Sequence, residues 1–586
     1  MSAIQQLLTD HLDIWTAADT AKKSGRGRSS GTAGSVYGIK KLRELILELA
    51  VRGKLVPQDE SDEPASELLK RIATEKAKLI AEGKIKKSKP LAEITDDEKP
   101  FELPKGWEWV CINTIGHDWG QKTPTSDFTY IEVSAIDSKA GIISTPQLVE
   151  FENAPSRARK IVKAGTVIYS TVRPYLLNIA VIEQEFIPEP IASTAFAIVH
   201  PFCSMPPRYF LFFFRSPIFV SYVESVQMGI AYPAINDGQF FSGLLPLPPL
   251  AEQHRIVAKV DELMALCDQL ENQHNNAAEA HEKLVTHLLG TLTQSQNAED
   301  FNTHWQRISE HFDTLFTTEA SIDALKQTLL QLAVMGKLVP QDPNDEPASE
   351  LLKRIQAEKA KLVAEGKIKK DKPLAEITEE EQPFDLPVGW EWIRVSTIAE
   401  IITSGSRDWA KYLSNEGAKF ITMGNLSRGS YNLRLENMRY VNPPEDGEGS
   451  RTKLKEDDLL ISITGDVGNL GRIPENFGDA YINQHTCLLR FISDCRNRYF
   501  PETLRSPMAI SQFIEPQRGI KNSFRLGDLA EMVIPLPPKN EQHRIVAKVD
   551  ELMAICDHLK SKITSANQLQ QKLADVLVAQ SINFKN

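Results

Sequence analysis

The stretch GKLVPQDESDEPASELLKRIATEKAKLIAEGKIKKSKPLAEI, residues 53–94, occurs twice in this chain. Its second copy, GKLVPQDPNDEPASELLKRIQAEKAKLVAEGKIKKDKPLAEI, begins at Gly336, an offset of 283 residues. The two copies run on into FELPKGWEW at 101–109 and FDLPVGWEW at 384–392. Solenoid repeats span about 20–50 residues, so a repeat of this length is not a solenoid unit. The duplication instead indicates two copies of a whole domain.

A second block is duplicated at nearly the same offset. PLPPLAEQHRIVAKVDELMALCDQL at 246–270 recurs as PLPPKNEQHRIVAKVDELMAICDHL at 535–559, an offset of 289. The stretches enclosed by the blocks, 110–245 and 393–534, share little sequence. A recent duplication with a drifting centre is the alternative, but drift does not usually spare both flanks. Divergent inserts in near-identical frames predict two related tasks with two different targets.

The composition is that of an ordinary globular protein of 586 residues, long enough for about three or four domains. Its 67 basic and 78 acidic residues give a net charge of −11, so any nucleic-acid site must be local. Six cysteines without a CxxC pair argue against a disulfide scaffold or zinc ribbon. The sequence has no apolar run of about 18 residues, so we expect no membrane span, and it has no basic leader, so we expect no secretion signal. We therefore expect a cytoplasmic location.

Apolar spacing predicts a long helix in each duplicated second block. Ile256, Val260, Leu263 and Cys267 lie on one helical face, and the pattern recurs from Ile545 to Cys556. We expect this face to continue through Leu284, Leu288 and Leu292, giving about 40 residues and a length of about 60 Å. The cysteines on this face are expected to be small buried hydrophobes.

Shorter helices are predicted in the first duplicated block, at 41–51 and 65–83 with copies at 325–334 and 348–366. Residues 21–35, rich in glycine and serine, are expected to form a flexible linker. Within the inserts, 165–172 and 458–465 have the β-branched clusters typical of strands. The inserts are therefore expected to be small mixed α and β domains.

Familiar catalytic motifs are absent from the sequence. There is no GxxxxGK[ST] phosphate loop and no HExxH metal motif. The tripeptide Asn442-Pro443-Pro444 is followed by Glu445, where an adenine methyltransferase would need an aromatic side chain to stack on the flipped base. A self-sufficient adenine methyltransferase or nuclease stays an alternative, as does an adaptor that binds two different proteins through its inserts.

The duplicated frame, the PLPP-x2-EQHRIV segments and the LP-x-GWEW segments together resemble the specificity (S) subunit of type I restriction–modification enzymes. The resemblance implies that each variable segment is a target recognition domain reading half of a bipartite, asymmetric sequence in double-stranded DNA. It implies that the conserved helices pair antiparallel, set the distance between the half-sites and dock two modification (M) subunits. It also implies that restriction (R) subunits join, and that the S subunit itself is not catalytic.

The same resemblance implies which groups the partners carry. S-adenosylmethionine belongs to the M subunits, which methylate adenine N6, and ATP and Mg²⁺ belong to the partner subunits that translocate and cleave DNA. We therefore expect no cofactor and no metal bound by this chain. The implied fold class is α+β, with two mixed α/β recognition domains joined by long antiparallel conserved helices in a pseudo-twofold tandem repeat.

The sequence blocks give six predicted segments. An N-terminal helix and linker, the first conserved helical region and the first target recognition domain are placed at 1–36, 37–106 and 107–249. The central conserved helices with the second-copy helical region, the second target recognition domain and the C-terminal conserved helix are placed at 250–389, 390–538 and 539–586.

Candidate DNA-binding residues of the first insert follow a predicted strand in YSTVRPYLLN. A strand followed by RPYL recurs in recognition domains of the family that this chain resembles. Arg173 can pair with guanine O6 and N7, and Asn178 can pair with adenine, but a structural salt bridge is an equal alternative for Arg173. A basic cluster before the strand is expected to contact phosphates. The candidates are Arg157, Arg159, Lys160, Ser170, Thr171, Arg173, Tyr175 and Asn178.

Candidates of the second insert lie in SITGDVGNLG, in INQHT and in the loop RGIKNSFRLGD. His485 is open to a purely structural role. Trp107, Trp109, Trp390 and Trp392 are shared by both copies and are expected to belong to the frame, because target readers should differ between copies. The candidates are Arg407, Ser462, Thr464, Asn469, Gln484, His485, Arg518, Lys521 and Asn522.

Overall fold

The computed structural model describes residues 10–17, 36–87, 94–229, 232–370, 374–444, 449–519 and 522–583. The chain divides into two compact units, the first comprising 1–277 with 566–586 and the second comprising 278–565. The predicted linker at 21–35 lies outside the described residues. Helices and sheets occur in both units, which agrees with the predicted mixed fold.

The helices of the first unit include both conserved helices predicted from the first duplicated block. Burial of one apolar face holds each of them: Leu42, Ile46 and Leu49 on one, Leu68 and Ile72 on the other. The helices are α1 (Leu12–Ala17), α2 (Tyr37–Val51), α3 (Ala65–Ala81), α4 (Ile112–Ile115), α5 (Pro207–Arg215), α6 (Pro217–Val226) and α7 (Asp237–Phe241). Residues 250–277 of the long α8 (Leu250–Thr293) also belong to the first unit.

The strands of the first unit form three sheets. A two-stranded sheet pairs β1 (Glu108–Cys111) with β12 (Leu244–Leu247). A four-stranded sheet has the order β6 (Gln147–Val149), β3 (Phe128–Ile131), β10 (Pro190–Ser193), β7 (Ala158–Ile161). A six-stranded sheet has the order β2 (Gly116–His117), β11 (Phe196–Pro201), β8 (Val167–Ser170), β9 (Ile179–Val181), β5 (Ile142–Ile143), β4 (Ile136–Asp137).

The described residues of the second unit also form one two-stranded sheet and two larger sheets, but each of the larger sheets has four strands. Its helices are α9 (Ala298–Ser309), α10 (Phe312–Leu315), α11 (Glu319–Val334), α12 (Ala348–Ala364), α13 (Val395–Ile398), α14 (Tyr499–Leu504), α15 (Pro507–Ile514), α16 (Leu526–Glu531) and the long α17 (Lys539–Asn583). Its sheets have the orders β13 (Glu391–Arg394), β22 (Val533–Leu536); β14 (Ala399–Ser404), β21 (Thr486–Phe491), β18 (Leu459–Ser462), β19 (Leu470–Arg472); and β15 (Leu413–Ser414), β17 (Arg439–Val441), β16 (Ala418–Ile421), β20 (Ala480–Ile482).

Each insert leaves and rejoins the frame through one antiparallel two-stranded ladder. In the first unit Glu108 pairs with Leu247, and in the second Glu391 pairs with Leu536 in the same register. Because the ladder brings the two ends of the insert together, the sequence between them can change without moving the frame. Variable inserts in a constant frame therefore have a simple structural basis.

The long helices α8 and α17 contain 44 and 45 residues, about 66 Å each at 1.5 Å per residue. The predicted apolar face is confirmed at Ile256, Val260, Leu263 and Cys267, all of which are buried. Further along α8, Leu292 is buried as predicted. Leu284 is exposed and Leu288 is half-buried, and the residues that follow them, Val285 and Leu289, are buried instead. A straight helix repeats every 3.6 residues, so its buried face drifts away from a strict heptad over several turns.

Candidate DNA interface

Three loops of the first insert meet beyond the end of β8. The Thr171 amide donates to Ala195 O (2.9 Å), and the Ile235 amide donates to Thr171 O (3.0 Å). The Arg173 amide donates to Pro233 O at 2.8 Å. These bonds join the loop after β8, the turn between β10 and β11, and the hairpin before α7. We call residues 171–178, 193–195, 228–229 and 232–234 the first loop surface.

Large aromatic and apolar side chains are exposed on the first loop surface, next to an arginine. Tyr232 is 69% exposed, Tyr175 53% and Leu176 47%. The Arg173 guanidinium lies 5.1 Å from the centre of the Tyr232 ring, within range of a cation–π interaction. Large apolar groups clustered around an exposed cation are typical of a binding surface.

The backbone here adopts conformations that are uncommon for residues with side chains. Arg173 and Leu177 have φ angles of 51° and 50°, on either side of the short turn Pro174–Leu176. Non-glycine residues in the left-handed region are rare and cluster at functional sites. The Pro233 carbonyl holds Arg173 in this conformation, which presents its side chain outward.

Three other predicted residues support this loop from within. Ser170 is buried and donates through Oγ to Val172 O (2.9 Å), while buried Thr171 donates through Oγ1 to Ala195 O (2.9 Å). Asn178 is half-buried, and its carbonyl accepts from the Ser170 amide at 3.0 Å. The hydroxyls of Ser170 and Thr171 are therefore used in holding the loop.

The predicted basic cluster separates into different environments. Arg157 is exposed, and its carbonyl accepts from the Thr194 amide (2.8 Å), which places it next to the first loop surface. Arg159 is half-buried and donates to Ala158 O at 2.8 Å.

Lys160 requires a correction. It is 3% exposed, and its Nζ lies 2.8 Å from Asp118 and 3.0 Å from Asp237. Burial by itself would lower the pKa of Lys160, but the hydrogen bonds and negative charges of the two aspartates raise it. An ammonium enclosed by two carboxylates is not available to phosphate, so we withdraw Lys160 from the candidates.

The second insert brings the matching three loops together. The Ile463 amide donates to His485 O (3.0 Å), and the Phe524 amide donates to Ile463 O (3.0 Å). A parallel bridge between Ser406 and Asn483 adds a fourth segment, the loop that carries Arg407. We call residues 406–408, 463–469, 483–485, 517–519 and 522–525 the second loop surface.

The second loop surface is polar where the first is aromatic. Gln484 Nε2, which can only donate, lies 3.0 Å from His485 Nε2, and Thr464 Oγ1 lies 2.8 Å from His485 Nδ1. With Gln484 donating to Nε2, the Nδ1–H of the ring donates to Thr464 Oγ1, so the three side chains are joined by hydrogen bonds. All three side chains are half-buried.

The other candidates of the second insert are either exposed or supporting. Arg407, Arg518 and Asn522 are exposed, and Asn522 has a φ of 48°. Ser462 and Asn469 are buried: Ser462 Oγ donates to Asp466 O and accepts from the Asn469 amide at 2.9 Å. Lys521 lies outside the described residues.

A short motif shared by both inserts was missed in the sequence. RYF followed four residues later by RSP occurs at 208–217 and 498–507, an offset of 290. Arg208 pairs with Asp261 of α8 at 2.6 Å, and Arg498 pairs with Asp550 of α17 at 2.6 Å. Both arginines thus tie a variable insert to its conserved helix. A search for short matches at the frame offset would have found the motif.

A second pair of matching contacts fixes each helix start to the frame. In the first unit Trp107 Nε1 donates to Glu252 Oε2 (2.8 Å), and in the second Trp390 Nε1 donates to Glu541 Oε2 (2.9 Å). Burial raises the pKa of both carboxyls, and the indole hydrogen bonds oppose that shift. Trp107 and Trp390 are therefore frame residues, as their duplication predicted.

A family model described as the type I restriction modification DNA specificity domain matches residues 159–280 and 387–569. The chain belongs to the family of type I restriction–modification specificity subunits. It is 43% identical to the type I restriction enzyme EcoAI specificity subunit of Escherichia coli, over 99% of this chain and 100% of that one. It is 40% identical to the EcoEI specificity subunit of Escherichia coli, with the same coverage of both chains.

A solved structure from a study of complex assembly and conformational transition of the type I restriction–modification system has the same fold. It is 23% identical, with a TM-score of 0.51, and the match covers 82% of this chain and 99% of that one. These matches confirm the predicted family. They also confirm the prediction of a DNA specificity subunit and do not favour the alternative of a self-sufficient methyltransferase or nuclease. No cluster that could hold a metal ion occurs among the residues that the structure describes, and none of their helices could cross a membrane.

Proposed function

We propose that each loop surface reads one half of a bipartite, asymmetric target in double-stranded DNA. The observation that carries this proposal is the contrast between the surfaces. The two are built on equivalent backbone positions, and the side chains differ. Arg173, Tyr175 and Tyr232 cover one, whereas Gln484, His485 and Arg518 cover the other. Two readers of different chemistry on one scaffold recognise two different half-sites.

Side chains of both loop surfaces have the chemistry of base recognition: Arg173 is exposed and Gln484 is half-buried. The Arg173 guanidinium fits guanine O6 and N7, and the Gln484 amide fits adenine N6 and N7. Arg157 and Arg407, at the margins of the two surfaces, contact phosphates and position the readers. The net charge of −11 does not oppose this, because the arginines act locally.

We propose further that α8 and α17 pair antiparallel and fix the half-site spacing about a pseudo-twofold axis. The segment 250–277 belongs to the first unit and 278–293 to the second, while 566–583 belongs to the first unit and 539–565 to the second. This reciprocal division supports the pairing. Helices of about 66 Å can separate two readers by one to two DNA turns of about 34 Å.

The conserved surfaces of this scaffold dock two M subunits, and R subunits join that complex. S-adenosylmethionine, ATP and Mg²⁺ are carried by those partners, and the complex acts in the cytoplasm. Isothermal titration tests the assignment of the methyl donor: the full chain alone gives no heat with S-adenosylmethionine, and a saturable signal would contradict it.

The DNA assignment is tested with the complex of this chain and its methyltransferase partner. Methylation mapping first identifies the target, and fluorescence anisotropy then compares duplexes with the intact target, either half scrambled, or both. We expect each single scramble to weaken binding and Arg173→Ala to affect recognition of only one half. Equal binding to all duplexes would contradict the proposal.

A further inference from the structure

A cavity of about 840 Å³ lies in the first unit beside the end of β1. Its volume falls in the range of ligand sites, which is about 300–1,000 Å³. Helices α2 and α6 and the segment before β1 form its walls. Glu48, Arg52 and Glu98 are its charged lining residues, and Cys111, Phe219 and Tyr222 lie beside them.

The second unit fills the matching position with an arginine. Cys111 ends β1 opposite Leu244, and Arg394 ends β13 opposite Val533 in the same register. The guanidinium of Arg394 donates through Nη1 and Nη2 to the two oxygens of Glu381, both at 3.0 Å. It also donates to the Glu531 carbonyl at 2.8 Å.

Two of the acceptors of that guanidinium, Glu381 and the Glu531 carbonyl, have counterparts among the described residues of the first unit, although the arginine does not. Glu98 matches Glu381, since each closes a capping box on the threonine three residues before it. Ser242 matches Glu531 by position. Ser242 lies two residues before the strand residue that pairs with Cys111, and Glu531 lies two residues before the strand residue that pairs with Arg394. Among the described residues, Glu98 Oε2 accepts from Thr95 and no donor reaches its Oε1.

A second carboxylate of the cavity is also incompletely paired. Glu48 is 4% exposed; its Oε1 accepts from Arg52 Nε at 2.7 Å, and its Oε2 has no partner among the described residues. At the matching place in the second unit, Gln331 accepts from the Met508 amide. Two carboxylates facing one arginine leave the cavity with a net negative charge. Glu98 is exposed, whereas the buried Glu48 Oε2 lacks a donor among the described residues.

We propose that this cavity binds a guanidinium-bearing ligand. The ligand supplies from outside the cation that Arg394 supplies within the second unit. Its guanidinium pairs with Glu98 and donates to the Ser242 carbonyl, and the room left by the Cys111 thiol admits the alkyl stem. Phe219, Tyr222 and Leu244 contribute the apolar walls, so a ligand with apolar groups beside the guanidinium fits better than a bare cation.

The test is isothermal titration of the full chain with L-argininamide, and with neutral L-citrullinamide as an isosteric control. We expect a Kd on the order of 1 mM for argininamide, and at least tenfold weaker binding of citrullinamide. Glu98→Gln should weaken argininamide binding about tenfold. Glu381→Gln, the matched change in the second unit, should leave that binding unchanged, because Arg394 already fills its site.

Two further arms complete the experiment. Cys111→Arg should abolish argininamide binding by filling the cavity from within. The peptide acetyl-Leu-Arg-Leu-amide should bind more tightly than argininamide if the natural ligand is an arginine side chain of a protein partner. The two should bind equally if the natural ligand is a small free guanidine. Either result supports the site. Absence of argininamide binding at about 10 mM, equal binding of citrullinamide, or unchanged binding by Glu98→Gln would each overturn it.

Discussion

Replacement of Arg173 by alanine isolates the contribution of one guanidinium to target recognition. Arg173 is exposed, and no ion pair to it occurs among the described residues, so its loss breaks no salt bridge there. Both arginine and alanine carry a Cβ, so the cost of a φ of 51° is the same before and after the change. The contact that is lost is the cation–π interaction with Tyr232, so we expect the free energy of unfolding to fall by no more than about 1 kcal/mol.

The effect on DNA should be much larger. A bidentate arginine–guanine contact contributes about 1–3 kcal/mol of discrimination, which corresponds to a loss of about 5–150-fold in affinity. Arg173→Lys keeps the charge but not the planar pair of donors, so it should lose most of the same affinity. The assay is fluorescence anisotropy of the assembled complex on its target duplex, at several salt concentrations.

Two results would refute this reasoning. Unchanged affinity of Arg173→Ala would remove Arg173 from the interface. The second is that Arg173→Lys binds DNA with full affinity, while the salt dependence of DNA binding by Arg173→Ala falls by about one phosphate contact. Arg173 would then be a phosphate ligand. Base recognition in the first insert would then have to come from other side chains.

Three further predictions concern the frame and its supports. Trp107→Phe leaves buried Glu252 Oε2 without its indole donor and should cost about 1–3 kcal/mol in urea unfolding, with Trp390→Phe as the matched change. Burial raises the pKa of Glu252 in the folded protein, so protonation of this carboxyl stabilises the fold, and that stability is lost as pH rises through the folded pKa. The stability lost in Trp107→Phe should therefore be smaller at acidic pH. A loss of stability that does not depend on pH would contradict this. Lys160→Met should cost about 2 kcal/mol or more, by calorimetry, without changing the salt dependence of DNA binding. Cys267→Val should be tolerated, and failure to fold would contradict its role as a small buried hydrophobe.

The conserved frame could be predicted from the sequence because its signals are local and occur twice. Helical periodicity located α2, α3 and α8, and the proline pair before α8 located its start, where Gln253 donates to Pro248 O at 3.0 Å. Duplication identified Trp107 as a frame residue because both copies preserve it. The long-helix prediction failed at Leu284 and Leu288, where a heptad and a 3.6-residue period diverge.

The candidate interface was harder to predict because it depends on contacts between distant segments. No local pattern indicated that Lys160 would contact Asp118 and Asp237, which lie 42 and 77 residues away in the chain. The approach of Tyr232 to Arg173 likewise depends on a hairpin that pairs with the loop after β8. Residue type marked the basic cluster, but only tertiary structure separates an exposed arginine from an enclosed lysine.

Exchange of the first insert tests the central claim most directly. Residues 110–245 are replaced by the corresponding insert of a related specificity subunit, and methylated adenines are mapped in DNA modified by the assembled complex. Because a ladder of the same register joins each insert to its frame, we predict that one half of the target changes while the other half and the spacing are retained. A change in both halves, or in neither, would contradict independent readers on a common scaffold.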